Sequence, residues 1–340
     1  MRLPYVALAA ICIAVPPAAA AIPQAQHCAP SARGADSFCT VNGVRLHYVD
    51  WGGRGPAIIL LAGLGDSARI FDDLAPRLAR HHRVLALTRR GYGLSDHAQT
   101  DYSNAALVGD VRGLMDALSI TKASFVGHSI AGGELSALGA HFPERVDRLV
   151  YLDAAYDRTR ALELTEKVPA TPGPSAADRA SIDSLARWQE ALLGVNSRAV
   201  RENVGDVVRK DSGKFVSRTP PSVMLAVLAG DVAAKPDYAA ISAPAFAIYS
   251  SKDVADQVPP STPPGRRREI VDYSIHQIRP WMLRAQADFI EHKQCGIAQE
   301  LPRSTHYFFL TDPAWTATAI LGFLDARDPC HWSPPEFRRG

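Results

Sequence analysis

A serine stands in a pentapeptide that is typical of a catalytic nucleophile. Ser129 is the centre of a Gly-His-Ser-Ile-Ala sequence at 127–131, which follows the apolar run 123–126 and opens a helical pattern over 131–141. A tight turn from strand to helix lifts the serine hydroxyl out of the sheet and points a helix N-terminus at it, and small residues prevent collisions as the chain reverses. The last position is Ala131 where glycine is usual. The pentapeptide predicts that Ser129 is a nucleophile.

A serine nucleophile needs a general base and a carboxylate that orients the base. In a strand-turn-helix architecture they follow the serine in the order Asp or Glu, then His. Asp253 comes after the apolar run 245–249, and His306 comes after a predicted strand at 296–301. This order predicts that Ser129, Asp253 and His306 form a catalytic triad.

Acyl transfer also needs two backbone N–H groups that stabilise an oxyanion. One donor is expected from Ile130, the residue after the nucleophile. The other is expected from Leu64, which lies in the glycine-containing loop 62–66 after a continuous apolar run that predicts a buried strand at 57–62. The sequence thus predicts an oxyanion hole made by Leu64 and Ile130.

Alternating strand and helix patterns supply the elements that must position these residues. Such alternation predicts a mostly parallel sheet with helices on both faces, and ligands bind such sheets at the carboxyl ends of the strands. Asn42-Gly43 also predicts a hairpin between two early strands. Strands are predicted at 38–41, 44–51, 57–62, 84–87, 123–129, 148–152, 245–249 and 296–301, and helices at 67–80, 103–118, 131–141 and from 312.

Four segments together resemble an α/β-hydrolase with a cap domain. They are 61–65, 90–96, 127–133 and 305–308, and the resemblance extends from about residue 38 to 326. It implies an α/β fold with a doubly wound, mostly parallel sheet and a helical cap insertion, together with hydrolytic chemistry. It implies no particular substrate. Many relatives have His at the position of Ala62, so one hydrogen bond behind the oxyanion loop is expected to be absent.

The resemblance leaves the acid open. Some relatives place it at the end of the preceding strand, where Asp153 stands. Asp253 is preferred because its Ser-Ser-Lys-Asp loop resembles the usual acid loop, and Asp153 is then expected at the cap hinge or one layer away from the base. His128 lies inside the elbow and is expected to pack with its side chain away from the hydroxyl.

The chain is expected to divide into a leader, a core in two parts, and an insertion. Residues 154–240 break the alternating pattern with helical periods and no predicted strand until 244, so they are read as a helical cap that shapes the pocket. The expected bounds are 1–20 for a signal peptide, 21–36 for a linker, 37–153 and 241–328 for the core, 154–240 for the cap and 329–340 for a tail.

The composition is that of an ordinary globular protein, with 47% hydrophobic and 21% charged residues. The formal net charge of +2 provides no electrostatic case for binding nucleic acid. The N-terminus carries Arg2, an apolar run at 6–15 and small residues at 18–20, which predict a cleaved secretory signal. The alternative is an anchor, but the run ends at Pro16 and is short for a membrane span. A secreted or periplasmic protein without stable membrane insertion is expected.

The cysteines fit an exported protein. There are five, and Cys12 lies in the expected leader, which leaves Cys28, Cys39, Cys295 and Cys330. Four cysteines allow three pairings. Pairing of neighbours in sequence is favoured because each bond would hold a terminal segment, and four free thiols are the alternative. Metal binding is not expected because no close Cys-x-x-Cys spacing occurs, and no cofactor is predicted.

The predicted activity is hydrolysis of a small-molecule carboxylic ester through an acyl-enzyme. An aminopeptidase or amidase of similar fold is the alternative within enzymes, and a non-catalytic binding protein on the same scaffold is the alternative outside them. Asp nucleophiles define the epoxide hydrolase and dehalogenase chemistries of this fold, which are disfavoured because the elbow has Ser129. The sequence does not predict the oligomeric state.

Overall fold

The computed structural model describes residues 27–28, 32–97, 101–160, 163–164, 173–251, 258 and 262–337. Its centre is a nine-stranded sheet in the order β1-β2-β3-β5-β4-β6-β7-β10-β11. Strands β1, β2, β3 and β5 pair antiparallel, and all pairs from β5 onward to β11 are parallel. The predicted α/β-hydrolase fold with a mostly parallel sheet is confirmed.

The strands are His27–Cys28 (β1), Asp36–Val41 (β2), Val44–Gly52 (β3), Ala57–Leu61 (β4), Arg83–Leu87 (β5), Ala123–His128 (β6), Val146–Leu152 (β7), Val208–Asp211 (β8), Lys214–Ser217 (β9), Ala245–Ser250 (β10) and Gly296–Leu301 (β11). The main helices are Ala75–Leu78 (α1), Asn104–Ala117 (α2), Ala131–His141 (α3), Ile182–Leu193 (α4), Arg198–Val207 (α5), Pro221–Ala233 (α6), Pro264–Tyr273 (α7), Arg279–His292 (α8), Phe308–Thr311 (α9) and Pro313–Leu324 (α10).

Both faces of the sheet are buried because successive side chains of a strand point to opposite faces. In β4, Ile59 and Leu61 join a cluster with α2, α3 and α8, whereas Ile58 and Leu60 join a cluster with α1, α10 and the cap helices α4 and α5. This burial explains the continuous apolar runs of the parallel strands.

The N-terminal hairpin forms as its turn residues predict. Asn42 and Gly43 have φ angles of 51° and 76°, which a two-residue turn between right-twisted strands requires. Part of the expected linker 21–36 is ordered: His27–Cys28 pairs with β2, and β2 already begins at Asp36. The reason is the disulfide between Cys28 and Cys39, which are also partners in the strand register.

The helix predicted over 67–80 is broken in two. A 3-10 turn, Ala68–Phe71, is capped by Ser67, whose side chain accepts from Arg69 N–H. The short helix α1 then contains Pro76 in its first turn, where the missing N–H of proline is tolerated. Proline has no N–H to donate to the carbonyl oxygen four residues earlier, and its ring clashes with that carbonyl, so one continuous helix cannot pass through this point.

The insertion between β7 and β10 is mainly helical, but it also contains a hairpin. Strands β8 and β9 pair antiparallel around Ser212 and Gly213, whose φ angles are 47° and 82°. The expectation of no strand before 244 is therefore wrong. A turn with two positive φ angles favours tight pairing of the residues on either side, even in strands only four residues long.

The C-terminal part completes the sheet with β11. Pro264 begins α7, so the arginines at 266–268 lie in a helix. Cys295, directly before β11, forms a disulfide with Cys330. Both disulfides thus follow the neighbour pairing expected from the sequence. Among the described helices, none combines the length and hydropathy of a membrane span.

Candidate active site

Ser129 occupies a strained turn between β6 and α3. Its φ angle is 56°, in the left-handed region that residues with a side chain rarely adopt, and its N–H donates to the carbonyl oxygen of Leu152 at 3.1 Å. Ser129 is half-buried while its neighbours on both sides are buried. Such strain, of order 1–3 kcal/mol, persists where the surrounding structure holds it. The elbow predicted from the pentapeptide has the backbone geometry that exposes a serine hydroxyl.

Close packing explains the small residues around the elbow. A Cβ on Gly127 would lie 2.6 Å from Cδ1 of Leu135, and a Cβ on Gly132 would overlap the carbonyl oxygen of Ala154. A Cβ on Gly133 would likewise overlap the Asp231 carboxylate. The methyl of Ala131 is accommodated in the core, so the departure from glycine at that position is tolerated.

His306 lies on the loop between β11 and α9, and its ring is held by a carboxylate. Nδ1 of His306 is 2.7 Å from Oδ2 of Asp153, and the imidazole is 28% exposed. Because Nδ1 faces the carboxylate, Nε2 is the ring nitrogen available to a hydroxyl and to solvent. The arrangement matches that of a general base with its orienting acid.

Asp153 is buried at the end of β7 and accepts several hydrogen bonds. They come from Ser250 Oγ at 2.7 Å, Ser250 N–H at 3.1 Å, the Tyr156 hydroxyl and His306. Burial alone would raise the pKa of Asp153, but these bonds, led by the one from His306, hold the pKa below its usual value. Asp153 is therefore an anion in a site built to stabilise it.

The position beside His306 is therefore occupied by Asp153, the alternative acid of the sequence analysis. The expectation that Asp153 is only a hinge residue or lies one layer away from the base is wrong, because it contacts the imidazole directly. Asp253 lies outside the described residues, so its assignment stays a prediction. Chain order alone could not separate the two, since both follow neighbouring parallel strands, β7 and β10.

His128 is a packing residue, as expected. Its ring lies 4.4 Å from the ring of His306 and 4.7 Å from that of Tyr307, measured between centroids. Its Nε2 is 3.1 Å from the carbonyl oxygen of His306. Burial, with the charge of His306, lowers the pKa of His128 well below its usual value. His128 is thus neutral and holds the backbone of the His306 loop.

The two predicted oxyanion donors belong to adjoining segments. Leu64 lies in the loop after β4, where Gly65 has a φ of 85°, and Ile130 immediately precedes α3. Within the described part of the chain, neither N–H is used in another hydrogen bond. The side chains of both residues share one apolar cluster with Tyr92. An oxyanion hole needs two such N–H groups directed at one point, so Leu64 and Ile130 stay its predicted donors.

A buried acid lies at the end of this loop, and the sequence analysis did not predict it. Asp66 accepts hydrogen bonds from the Tyr307 hydroxyl at 3.1 Å and from Asn203 Nδ2 at 3.0 Å. Burial raises the pKa of Asp66 to about 6 in spite of these two bonds. Its partners come from distant parts of the chain, so no local pattern indicated the network.

Two arginines near the elbow were also missed. Arg158 Nη2 donates to the carbonyl oxygen of Ser129 at 2.8 Å, and its Nε lies 3.8 Å from Asp231 of the cap. Arg89 forms a buried ion pair with Glu134 and donates to the carbonyl oxygens of the oxyanion loop. These cations belong to the support of the elbow and the loop, and only the folded chain shows their contacts.

The cap helix α6 forms an apolar wall over the two donors. Val223, Val227 and Leu228 pack in the cluster that contains Leu64 and Ile130. The terminal methyl of Met224 lies 3.7 Å from the Cβ position of Gly65. Met224 and Leu228 thus both lie beside the oxyanion loop, whereas Phe215 packs on the opposite core cluster.

One group of side chains in the described residues has the spacing of a metal site: Asp36, His47 and Asp206. Asp36 Oδ1 already accepts from Arg69 and lies 3.1 Å from His47 Nε2, and these contacts lower the pKa of Asp36 to about 2, mainly through His47. His47 Nδ1 is 2.8 Å from Thr88 Oγ1. Protein partners thus occupy the ligand atoms of Asp36 and His47, which belong to a hydrogen-bond network with Arg69 and Thr88.

Comparisons with known proteins agree with the fold. A family model described as alpha/beta hydrolase fold matches residues 56–234. An uncharacterized protein of Mycobacterium tuberculosis is 38% identical over 117 residues, which cover 34% of this chain and 34% of that protein. The 2-(acetamidomethylene)succinate hydrolase of Mesorhizobium japonicum is 31% identical over 115 residues, or 34% of this chain and 41% of that enzyme. The alignments thus span well under half the length of these relatives.

Solved structures match over most of the chain. The crystal structure of E-2-(acetamidomethylene)succinate hydrolase has a TM-score of 0.64 at 18% identity and covers 86% of this chain and 99% of its own. That of the enol-lactonase from Burkholderia xenovorans LB400 has a TM-score of 0.54 at 22% identity and covers 85% and 100%. At these identities the likeness concerns the fold alone.

Proposed function

We propose an ester hydrolase activity for this chain, which belongs to the alpha/beta hydrolase fold family. Ser129 is the nucleophile, His306 is the general base and Asp153 is the acid that orients it. The observation that carries the proposal is the 2.7 Å contact between His306 Nδ1 and Asp153 Oδ2 next to a serine in a strained elbow. Hydrolysis as a class is supported by the family; the serine mechanism and the ester are our inference.

The reaction proceeds in two halves. His306 Nε2 takes the proton of the Ser129 hydroxyl as its oxygen bonds to the substrate carbonyl carbon, and the carbonyl oxygen becomes an oxyanion held by the N–H groups of Leu64 and Ile130. The ester bond breaks as His306 returns the proton to the departing alcohol. Water, deprotonated by His306, then attacks the acyl-enzyme, and Ser129 leaves with that proton. Asp153 holds the imidazole and stabilises its charged form.

The walls of the site favour an apolar acyl group. Leu64, Ile130, Val223 and Val227 pack in one hydrocarbon cluster that includes both proposed oxyanion donors. Apolar walls exclude water from the oxyanion, which strengthens the hydrogen bonds to it. A small or medium apolar ester therefore suits the site better than a charged one.

The test is turnover of p-nitrophenyl esters of increasing acyl length by the wild type and by Ser129→Ala. Wild-type turnover with at least ~1,000-fold loss in Ser129→Ala supports the proposal. The matched control is Ser136→Ala, a serine of α3 whose hydroxyl bonds to Gly132 O and so lies away from the reacting atoms. Full activity in Ser129→Ala contradicts the nucleophile assignment. If a fluorophosphonate fails to label Ser129, the non-catalytic binding protein becomes the better interpretation.

Amide hydrolysis is the second candidate, because the relative from Mesorhizobium japonicum is named for a substrate with an acetamido group. Cleaving an amide requires His306 to protonate a poorer leaving group. Comparing kcat/KM for the ester and for the anilide of the same acyl group distinguishes the two activities. A higher kcat/KM for the anilide favours the amidase.

We also propose that the protein is exported. The expected signal peptide, 1–20, lies outside the described residues, so the proposal rests on its sequence pattern and on the two disulfides, which persist in oxidising compartments. Expression of the full chain in a bacterial host, followed by fractionation and N-terminal sequencing, tests it. Processing near Ala20 with recovery outside the cytoplasm is the expected result.

A further inference from the structure

A buried guanidinium links the two segments that carry the proposed oxyanion donors. Arg89, two residues after β5, donates through Nη2 to the Ala62 carbonyl oxygen at 3.1 Å and through Nη1 to the Gly63 carbonyl oxygen at 3.3 Å. Its Nε donates to Oε1 of Glu134 at 2.8 Å, and Nη2 contacts the same oxygen. Arg89 is 5% exposed and Glu134 4% exposed.

The contact with Gly63 bears directly on Leu64. The carbonyl of Gly63 and the N–H of Leu64 belong to one planar trans peptide, so they point in opposite directions. A donor fixed on the oxygen therefore fixes the direction of the N–H. A charged donor on that oxygen also polarises the peptide, and such polarisation strengthens the partner bond by roughly 10–30%.

The other partner of Arg89 lies on the helix that follows Ile130. Glu134 is in the first turn of α3, whose N-terminus begins right after Ile130. The pair thus connects the Gly63-Leu64 peptide to the helix that carries the second donor. Its buried bonds are charge-assisted, and these are roughly twice as strong as neutral ones.

We propose that Arg89 is a positioning residue of the oxyanion hole, which sets the direction of the Leu64 N–H through the carbonyl of Gly63 and ties it to Ile130 through Glu134. This inference rests on the proposed function. Arg89 touches no reacting atom; it acts through the peptide of Leu64. A purely structural role would instead lower stability and leave the electrostatics of the acyl carbonyl unchanged.

The main test replaces both members of the pair, Arg89→Met with Glu134→Met, so that no unpaired charge is buried. The Gly63 carbonyl keeps a long bond from Asp66 N–H at 3.4 Å but loses its charged donor, so the Leu64 N–H is held less firmly. A misplacement of about 1 Å at a reacting centre lowers the rate ~100-fold. We expect a fall in kcat of about 10- to 100-fold with KM changed less than threefold, because the donors act on the transition state more than on bound substrate.

The decisive readout is the infrared stretching frequency of the carbonyl in the acyl-enzyme, recorded with a ¹³C-labelled acyl group. Hydrogen bonds from Leu64 and Ile130 lower this frequency in the wild type. In the double variant the band should move to higher frequency and broaden. The matched control replaces the neighbouring buried ion pair, Arg90→Met with Asp110→Met, because Arg90 bonds to Asp110 and to the carbonyl oxygen of Asp101 rather than to the oxyanion loop, and it should retain the wild-type band.

The outcomes separate the two proposals. If the wild type forms no acyl-enzyme at Ser129, the proposed function fails. If the wild type forms it and the double variant shows an unchanged band and kcat, the role of Arg89 is overturned while the proposed function stands. Should the double variant not fold, Arg89→Lys serves instead: an ammonium lacks the fork that spans Gly63 O and Glu134, so an intermediate band shift supports the role and a wild-type band overturns it.

Discussion

His306 Nδ1 and Asp153 Oδ2 lie 2.7 Å apart, so a carboxylate at the end of β7 holds the imidazole. The end of β10 also takes part, because Ser250 donates both its hydroxyl and its N–H to the same carboxylate. Two neighbouring strands thus share the support of one histidine.

The acid can be identified with a pair of matched variants. Asp153→Asn keeps the shape of the side chain but favours the wrong imidazole tautomer, so kcat for an ester should fall by about 10⁴-fold. Asp253→Asn should change kcat less than threefold. Steady-state kinetics on both purified variants decides; the reverse pattern would return the role of the acid to Asp253.

The packing of the elbow predicts opposite effects for two glycines. A Cβ on Gly132 would overlap the Ala154 carbonyl, next to Asp153, so Gly132→Ala should lower the free energy of unfolding by about 1–3 kcal/mol and reduce kcat. Gly205, in α5, has no atom within 4 Å of its Cβ position. Gly205→Ala should therefore leave kcat unchanged and stabilise the protein by about 0.5–1 kcal/mol. Urea unfolding measures both; equal effects would refute the packing argument.

Asp66 predicts a dependence of stability on pH. Its pKa is raised by burial from 3.8 to about 6, so the folded protein binds a proton more tightly than the unfolded chain does. This group therefore stabilises the fold below pH 4, and that contribution is lost as the pH rises to about 6. The stability of Asp66→Asn relative to the wild type should therefore rise by about 2–3 kcal/mol as the pH goes from 4 to 7.5. This estimate uses about 1.36 kcal/mol for each unit of difference between the folded and unfolded pKa.

The measurement compares urea unfolding of the wild type and Asp66→Asn at both pH values. The control is Asp183→Asn, at a side chain 66% exposed on α4, which should show no such gain. If neither variant gains stability at the higher pH, the charged Asp66 carboxylate does not destabilise the folded protein, and the prediction is wrong.

The disulfides predict a difference that depends on the length of the closed loop. Cys295 and Cys330 are separated by 35 positions, and Cys28 and Cys39 by 11. The loop-closure entropy of the unfolded chain then gives about 4 kcal/mol for the first bond and about 3 kcal/mol for the second. Replacing each pair by serine and measuring unfolding in urea checks the order. A larger loss for the N-terminal pair would show that native packing outweighs loop length.

Much of the site was predictable because its signals are local. Ser129, Leu64 and Ile130 follow from glycine-rich turns next to apolar strands, and His306 follows from its place after the last strand. The hairpin of β8 and β9 also had a local signal in Ser212-Gly213, but four-residue strands with charged residues have no clear alternation.

The rest of the candidate site depends on contacts between segments that are far apart in the sequence. Asp153 and His306 are 153 positions apart, and Arg89 and Glu134 are 45 apart. No periodicity or spacing indicates which of two acids reaches an imidazole, since both follow neighbouring parallel strands, β7 and β10. Only the folded chain shows that the Asp153 carboxylate meets His306 Nδ1.

The two outer strands of the described sheet are β1 and β11, and a disulfide bond anchors the chain at each of them. At one border Cys28 of β1 is bonded to β2, and at the other Cys295 stands at the start of β11 and is bonded to the C-terminal segment. Outer strands carry unpaired backbone groups that can recruit the same strand from another molecule. Detachment of either outer strand would expose the backbone groups of the next strand, and the two disulfides oppose that detachment. Reduction should therefore promote self-association at concentrations where the oxidised protein stays dispersed.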